Sequence, residues 1–428
     1  MKDINLNYKN SMVNKDEMYK TLRLLEGEIV RMNEAKKINY LDDRASINLP
    51  TDAQLRKTVK NVVHEKLKLK PNNLVVVGIG GSNLGTMAVQ EALLGKNYNL
   101  DANLKVFYAD TVDADNISSI IKHMKKGKTI LNIISKSGTT VETIANFKVL
   151  LEELKKKVVN YNKYVVITTE KESMLYNYAV ENNIDVFEIP KKVGGRYSVF
   201  SPVGLFPLAM LGVDIDKLHK GATRMVKLCT RTVKLNPAAL SAAVLYNNYM
   251  KGRVIYNTFL FSNDLESLGK WCRQLAAESL GKVATIKMSS KNVGIMPIVS
   301  IGSTDLHSMA QYYFGGLDNV VHTLVKVNEK NKVNVPNEKN GLIDDLNKLS
   351  LNKIMSAIYN GFALALAKAG RPYMEIDLFE KNEYFIGQFM QLKMIETMFL
   401  GKLLNVNPFN QPDVEKYKQE TKKILKLS

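Results

Sequence analysis

Two loops rich in glycine, serine and threonine each follow a short apolar run in this 428-residue chain. The first is GIGGSNLG at residues 78–85, after LVVV at 74–77, and the second is SKSGTT at residues 135–140, after ILNII at 130–134. Each pattern predicts a strand, a tight turn and the first turn of a helix. Free backbone N–H groups and a helix N-terminus then point at one spot, which favours an anion. Two such turns in one sheet predict a phosphate site.

Apolar runs alternate with helical stretches in two parts of the chain. The first part covers residues 74–190, and a similar but weaker alternation covers residues 254–376. Alternation of this kind predicts a parallel sheet flanked by helices. We therefore expect an α/β protein with two units of similar design and mainly parallel sheets, with helical segments at the termini.

Composition and charge narrow the class of protein. The chain has 45% hydrophobic and 24% charged residues, which is ordinary for a soluble enzyme. It begins without an apolar signal-peptide core and has no run long enough to span a membrane, so we expect a cytoplasmic location and no membrane partner. The net charge of +18 is consistent with a polyanion partner or with a lysine-rich solvated surface. We favour the second interpretation and expect no nucleic-acid partner, because the lysines are scattered and no nucleic-acid motif is present.

The first loop taken alone leaves three interpretations open. It resembles the start of a dinucleotide fold, with Asp110 as the acid for a ribose, but Asn83 stands where the third glycine of that motif belongs. It equally fits a sugar-phosphate site, or a tight turn that needs glycine for its backbone alone.

The second loop favours phosphate. Ser135, Ser137, Thr139 and Thr140 supply hydroxyl groups, and Lys136 supplies a compact cation. The alternative is an ordinary helix N-cap, for which serine and threonine are well suited. A cap uses one hydroxyl, whereas this loop has four, so a pocket for a phosphate monoester explains the pattern better.

These loops resemble those of the sugar-isomerase (SIS) domain, and three further stretches resemble signatures of the glucose-6-phosphate isomerase family in its compact bacterial form. The stretches are VGGRYSVFSPVGL at 193–205, GKWCRQLAAESLGK at 269–282 and NPFNQPDVEKYK at 407–418, in family order. The resemblance implies two SIS-type three-layer αβα domains. It also implies reversible conversion of glucose 6-phosphate and fructose 6-phosphate through a cis-enediol, in glycolysis and gluconeogenesis.

The same resemblance implies roles for single residues. Glu278 is the base that moves a proton between carbons 1 and 2, and Arg196 stabilises the enediolate. His307 opens the sugar ring, and Lys418 assists at the same end of the substrate. Each residue also has a non-catalytic interpretation. In the same order, these are a surface glutamate, a loop arginine paired with an acid, a structural histidine and one of several lysines near the C-terminus. The residues implied to bind substrate are Gly81, Ser82, Ser135, Lys136, Ser137, Thr140, Gln274 and Gln411.

The domain boundaries follow from the apolar runs and the resemblance together. We expect an N-terminal helical segment at 1–50 packed on the second domain, a first SIS domain with the phosphate loops at 51–200 and a second at 201–405. Residues 406–428 form a C-terminal loop and helix carrying Lys418.

The resemblance also implies which partners the protein has, and alternative functions remain open. It implies a homodimer with active sites at the subunit interface and no cofactor. No metal is expected, because the five histidines lack ligand spacing. Asp413 stands where the family has glycine, and aspartate tolerates a positive φ better than most residues. The rivals are an isomerase that also accepts mannose 6-phosphate, a non-catalytic sugar-phosphate-binding regulator and a dinucleotide enzyme.

Overall fold

The computed structural model describes residues 2–286, 289–338 and 341–426, apart from the side chains of residues 284–289. In these residues, two five-stranded sheets and a two-stranded hairpin lie among helices. The strands are β1 (Asn5–Asn7), β2 (Asn73–Val77), β3 (Lys105–Ala109), β4 (Thr129–Ile134), β5 (Val165–Thr169), β6 (Asp185–Glu188), β7 (Ile255–Leu260), β8 (Lys282–Ile286), β9 (Ser289–Val293), β10 (Met296–Ile301), β11 (Val320–Asn328) and β12 (Tyr373–Glu380). The helices are α1 (Lys15–Arg23), α2 (Glu26–Ala35), α3 (Ala53–Lys68), α4 (Leu84–Leu94), α5 (Ala114–Lys126), α6 (Val141–Lys155), α7 (Met174–Glu181), α8 (Pro202–Met210), α9 (Ile215–Cys229), α10 (Pro237–Met250), α11 (Glu266–Leu280), α12 (Ala310–Gly315), α13 (Leu351–Lys368), α14 (Glu383–Leu403) and α15 (Val414–Ile424).

The first sheet has the strand order β3-β2-β4-β5-β6, and all of its strands are parallel. Every residue of β2, β4 and β5 is buried, because helices cover both faces of the sheet. The chain continues from β2 to β3 on one side and then to β4 on the other, so the order reverses between β2 and β4. The two anion-binding loops predicted from the sequence leave these two strands side by side, where α/β sheets bind ligands.

The second sheet has the order β1-β12-β11-β7-β10. Its strands β10, β7, β11 and β12 are parallel and repeat the arrangement of the first sheet. The predicted α/β fold with two units and mainly parallel sheets is therefore confirmed.

Two elements were not foreseen from the sequence. Strand β1 lies within the segment predicted to be helical and pairs antiparallel with β12. The hairpin of β8 and β9 follows directly after α11. A three-residue strand carries too little pattern to be read from the sequence, since its position depends on the free edge of β12. The domain boundaries at 50, 200 and 405 stay a prediction.

Helix α14 is the core element that joins the second unit together. Its residues from Tyr384 to Gly401 are all buried, which is typical of a helix surrounded by other elements. It packs on α9, α10 and α11, and α11 carries the predicted residues Gln274 and Glu278. Among the described residues, no helix combines the length and apolar content needed to cross a membrane.

Helices α9 and α14 approach so closely that Gly387 has no room for a side chain. A Cβ atom at this position would lie 2.1 Å from the carbonyl oxygen of Leu218 on α9. We expect Gly387→Ala to lower the free energy of unfolding by about 3 kcal/mol or more, because the two backbones must separate. The control is Gly361→Ala on the exposed side of α13, where no atom lies within 4 Å of the added Cβ.

The control should raise stability by about 0.4–1 kcal/mol, since it restricts the unfolded chain without a clash. Urea unfolding followed by circular dichroism measures both variants. If the two variants had equal free energies of unfolding, helices α9 and α14 could separate without loss of stability, which would contradict the prediction.

Candidate active site

Ser135 and Thr140 bring two hydroxyl groups together at the end of β4. Their Oγ and Oγ1 atoms lie 3.1 Å apart. Thr140 is the N-cap residue of α6 but makes no side-chain capping hydrogen bond. The hydroxyl of Thr169 donates to the carbonyl oxygen of Ser135 at 2.7 Å and fixes the loop to β5. The hydroxyl pair therefore remains beside a helix N-terminus whose first N–H groups have no partner in the helix.

The remaining predicted residues of the two loops have different surroundings. The Ser137 hydroxyl accepts hydrogen bonds from Thr139 Oγ1 at 3.1 Å and from its backbone N–H at 3.3 Å. Lys136 Nζ donates to the carbonyl oxygen of Lys191 at 2.6 Å, and burial lowers the pKa of this lysine. Ser82 lies in a 3-10 turn, where its hydroxyl has no hydrogen bond within the described part of the chain.

Arg196 is the buried centre of the site, with 2% of its surface exposed. It lies in a 3-10 turn between the two units. Its Nε donates to Ser279 Oγ at 2.7 Å, and its Nη2 donates to the carbonyl oxygens of Pro408 at 2.7 Å and Asn410 at 3.1 Å. These contacts join the end of α11 to the segment before α15.

The Nη1 atom of Arg196 completes the cluster. It donates to Gln411 Oε1 at 2.8 Å and lies 3.4 Å from Glu278 Oε2. A guanidinium group has five N–H donors, so each donor of Arg196 has one partner. The side chain cannot rotate without breaking several of these bonds.

Glu278 and Gln274 lie one turn apart on α11 and face the same side. Gln274 Nε2 donates to Glu278 Oε1 at 2.9 Å, and the carboxylate side chain is 33% exposed. The Oε1 atom of Gln274 is buried and has no hydrogen-bond partner among the described residues. The pair therefore offers a partly exposed carboxylate next to Arg196, with a buried acceptor behind it.

The loop at 78–85 reaches this cluster through its backbone. A Cβ atom on Gly81 would lie 2.3 Å from the carbonyl carbon of Gly195 and 2.5 Å from the backbone nitrogen of Arg196. Only glycine permits this approach. Of the predicted site residues, the structure brings Gly81, Gln274, Glu278, Arg196 and Gln411 together.

His307 and Lys418 lie outside this cluster. His307 is exposed just after the 3-10 turn Thr304–Leu306, and its side chain has no hydrogen bond to any described residue. Lys418 lies on α15, which has no buried residue, and pairs with Glu415 at 2.7 Å. Within the described residues of one chain, no hydrogen bond or ion pair joins either side chain to Arg196 or Glu278.

Three features of the site were missed from the sequence. Ser279 holds the Arg196 Nε, although only its neighbour Glu278 was singled out. Lys282 Nζ donates to the carbonyl oxygens of Ser279, at 3.0 Å, and Asn407. The carbonyl groups at 407, 408 and 410 could not be recognised from the sequence, because every residue has a backbone carbonyl group. The serine and the lysine were visible in the stretch AESLGK.

Asp413 stands where the family has glycine, and its backbone conformation does not require glycine. Its φ is −73°, so it lies in the right-handed region that any L-residue adopts. Position 413 therefore has no positive φ that would favour glycine in this chain.

Comparisons with known proteins identify the family to which this chain belongs. Residues 68–427 match the family model described as phosphoglucose isomerase. The chain belongs to the phosphoglucose isomerase family. It is 35% identical over 355 residues to a glucose-6-phosphate isomerase of Methanocaldococcus jannaschii, covering 83% of this chain and 84% of that protein. It is 31% identical over 431 residues to that of Rubrobacter xylanophilus, covering 98% of each.

Two solved structures share the fold of this chain. A hypothetical protein from Thermus thermophilus has a TM-score of 0.90 and 31% identity, with 99% of each chain covered. A glucose-6-phosphate isomerase from Chlamydia trachomatis has a TM-score of 0.82 over 99% of this chain and 89% of that one, and at 19% identity it shows the fold alone. The resemblance to the phosphoglucose isomerase family drawn from the sequence is confirmed.

Gly81→Ala tests the contact between the first loop and Arg196. The added methyl group must displace the backbone of Gly195 and Arg196, and a misplaced guanidinium should lower kcat/KM for fructose 6-phosphate by about 10-fold to 100-fold. Gly194→Ala is the matched control, because its Cβ would meet Tyr197 Cδ2 at an ordinary 3.7 Å.

Steady-state kinetics on both variants, with melting temperatures to confirm folding, provides the measurement. If both variants retained full activity, the close approach of Gly81 would have no bearing on the site.

Proposed function

We propose that this member of the phosphoglucose isomerase family interconverts glucose 6-phosphate and fructose 6-phosphate, with Glu278 as the base and Arg196 as the fixed cation. The observation that carries this proposal is the Arg196–Glu278 pair next to a glycine-rich loop at a sheet switch point. The family match and the relatives named glucose-6-phosphate isomerase support the choice of substrate.

The reaction needs a base because the proton on carbon 2 of the open sugar is weakly acidic. In the proposed mechanism, Glu278 removes this proton to give a cis-enediolate. The hydroxyl proton on the oxygen of carbon 2 passes to the oxygen of carbon 1, and Glu278 returns its own proton to carbon 1 on the same face. The hydrogen bond from Gln274 holds one carboxylate oxygen in place. The exposed part of the carboxylate is the part that substrate reaches.

Arg196 supplies a positive charge that is fixed before the reaction starts. When Glu278 takes up the proton it loses its negative charge, and a negative charge appears on an oxygen of the enediolate. The Nη1 donor, at 3.4 Å from Glu278, then transfers its hydrogen bond to that oxygen. Because four other bonds hold the guanidinium, this stabilisation requires little reorganisation.

The phosphate group of the substrate is proposed to bind at the two loops. Ser135 and Thr140 offer adjacent hydroxyl groups beside the N-terminus of α6. Gly81, Ser82, Lys136 and Ser137 are the further predicted members, and Gln411 joins this set through its bond to Arg196. A phosphorylated sugar is charged and does not cross membranes unaided, which supports the proposed cytoplasmic location.

We further propose that two chains form a homodimer in which His307 enters the site of the partner subunit. The exposed side chain of His307 has no hydrogen bond within the described part of its own chain, which supports a role in the partner's site. Lys418 is proposed to assist ring opening after exchanging its ion pair with Glu415 for the substrate.

Glu278→Gln tests the proposed base. The amide keeps the size of the side chain but cannot accept the proton, so turnover should fall by about 100-fold to 10,000-fold. Binding of a 5-carbon sugar-acid phosphate should persist. Glu266→Gln is the control, because Glu266 lies on the same helix and pairs with Lys270 at 2.8 Å.

A coupled assay with fructose 6-phosphate and no added cofactor measures turnover. Near-normal turnover of the Glu278 variant would remove Glu278 from the mechanism. An inactive wild-type enzyme would refute the proposed function itself.

Mixed dimers test whether His307 acts across the interface. His307→Ala and Glu278→Gln chains with different tags are co-expressed and the mixed dimer is purified. If His307 acts in the partner's site, one site carries both lesions and the other is complete, so about half of wild-type activity should return.

If His307 acts in its own subunit, each site of the mixed dimer carries one lesion. The mixed dimer then stays inactive, and that result would refute the dimer arrangement proposed for His307. The tags confirm that both chains are present in either case.

A further inference from the structure

The segment before α15 is held by two cations from other parts of the chain. We call residues 405–411 the C-terminal loop. Arg196 binds the carbonyl oxygens at positions 408 and 410 and the side chain of Gln411. Lys282, the first residue of β8, donates from Nζ to the carbonyl oxygen of Asn407. The two cations therefore hold the loop at four of its seven residues, 407, 408, 410 and 411.

Lys282 also holds the end of the helix that carries the proposed base. Its Nζ donates to the carbonyl oxygen of Ser279 at 3.0 Å, while Ser279 Oγ accepts from Arg196. One ammonium group thus links the residue after Glu278 to the C-terminal loop. The two cations thus contact the same pair of segments.

We propose that Lys282 is a positioning residue that holds the C-terminal loop, and with it Gln411, against Arg196 and Glu278. This inference rests on the proposed function, since Glu278 and Arg196 are its catalytic residues. Lys282 acts through them and is not proposed to touch the reacting carbons.

The electrostatic surroundings make this contact sensitive to pH. Burial lowers the pKa of Lys282 from the ordinary 10.5 to about 8. Arg196 contributes in the same direction, whereas Glu278 on α11 and Asp413 before α15 oppose it. When the ammonium loses its proton, it loses its charge and one of its three donors, so its bonds to the two carbonyl groups weaken.

The effect on stability has the opposite sign. Between pH values of about 8 and 10.5, the unfolded chain holds a proton on Lys282 that the folded chain has released. The contribution of this lysine to the free energy of unfolding therefore rises with pH. Activity lost above pH 8 through Lys282 would be lost without unfolding, which distinguishes a positioning role from a general structural one.

The experiment compares Lys282→Met, which removes all donors, with Lys282→Arg, which keeps a cation that does not lose its proton in this range. We expect the Met variant to lower kcat/KM for fructose 6-phosphate by about 10-fold to 100-fold, as for loss of a hydrogen bond to a charged group. Amide hydrogen exchange in the C-terminal loop should become faster. We expect wild-type activity to decline above pH 8, and the Arg variant to retain most activity without that decline.

Lys66→Met is the matched control. Lys66 is 3% exposed, and its Nζ also donates to a backbone carbonyl, that of Lys163, at 2.7 Å in the first unit. Its loss should lower the melting temperature but leave the pH profile and the exchange of the C-terminal loop as in the wild type.

Unchanged kcat/KM and unchanged exchange in the Lys282→Met variant would overturn the proposal. So would a Lys282→Arg variant with the same decline above pH 8 as the wild type, and this readout remains if the Met variant does not fold. An inactive wild type would refute the proposed function, and hydrogen exchange would still decide whether Lys282 holds the loop.

Discussion

The whole site depends on the burial of one guanidinium group. Arg196 is 2% exposed, and a buried cation is costly unless each donor has a partner. Four of its five partners are neutral dipoles: a hydroxyl, two carbonyl oxygens and the side-chain oxygen of Gln411. The single carboxylate, Glu278, lies at 3.4 Å. In the proposed mechanism this carboxylate becomes neutral when it takes up the proton, and the fixed guanidinium is then available to stabilise the new negative charge.

The two αβα units share a strand arrangement but differ at the point where the strand order reverses. In the first unit, hydroxyl groups and glycine follow β2 and β4. In the second, Asp264 follows β7 and Glu329 follows β11, and both pair with Lys381, at 2.6 and 2.7 Å. An internal ion triad thus follows the strands of the second unit that correspond to β2 and β4, after which the proposed phosphate loops lie in the first unit.

Sequence reasoning, with the family resemblance, singled out residues that the fold brings together, namely the Ser135–Thr140 pair and the Gln274–Glu278 pair beside Gly81. Their roles in binding and catalysis stay predictions. Sequence reasoning failed where the structure uses backbone groups that every residue has, such as the carbonyl oxygens that hold Arg196. It also failed for the short strand β1, whose position is set by pairing with the edge of β12. The roles of His307 and Lys418 stay predictions, since they concern contacts that one chain does not make within its described residues.

The cluster also brings together segments that lie far apart in the sequence. Arg196 and Gln411 are 215 positions apart, so their bond forms only when both units have folded and the C-terminal loop has closed over them. The N-terminal segment also contacts this loop. Arg44 lies over the ring of Phe409 at 5.6 Å and pairs with the buried Glu28 at 2.6 Å. A short loop without a hydrophobic core of its own is thus fixed by cations from three distant segments, and its order depends on the completed fold.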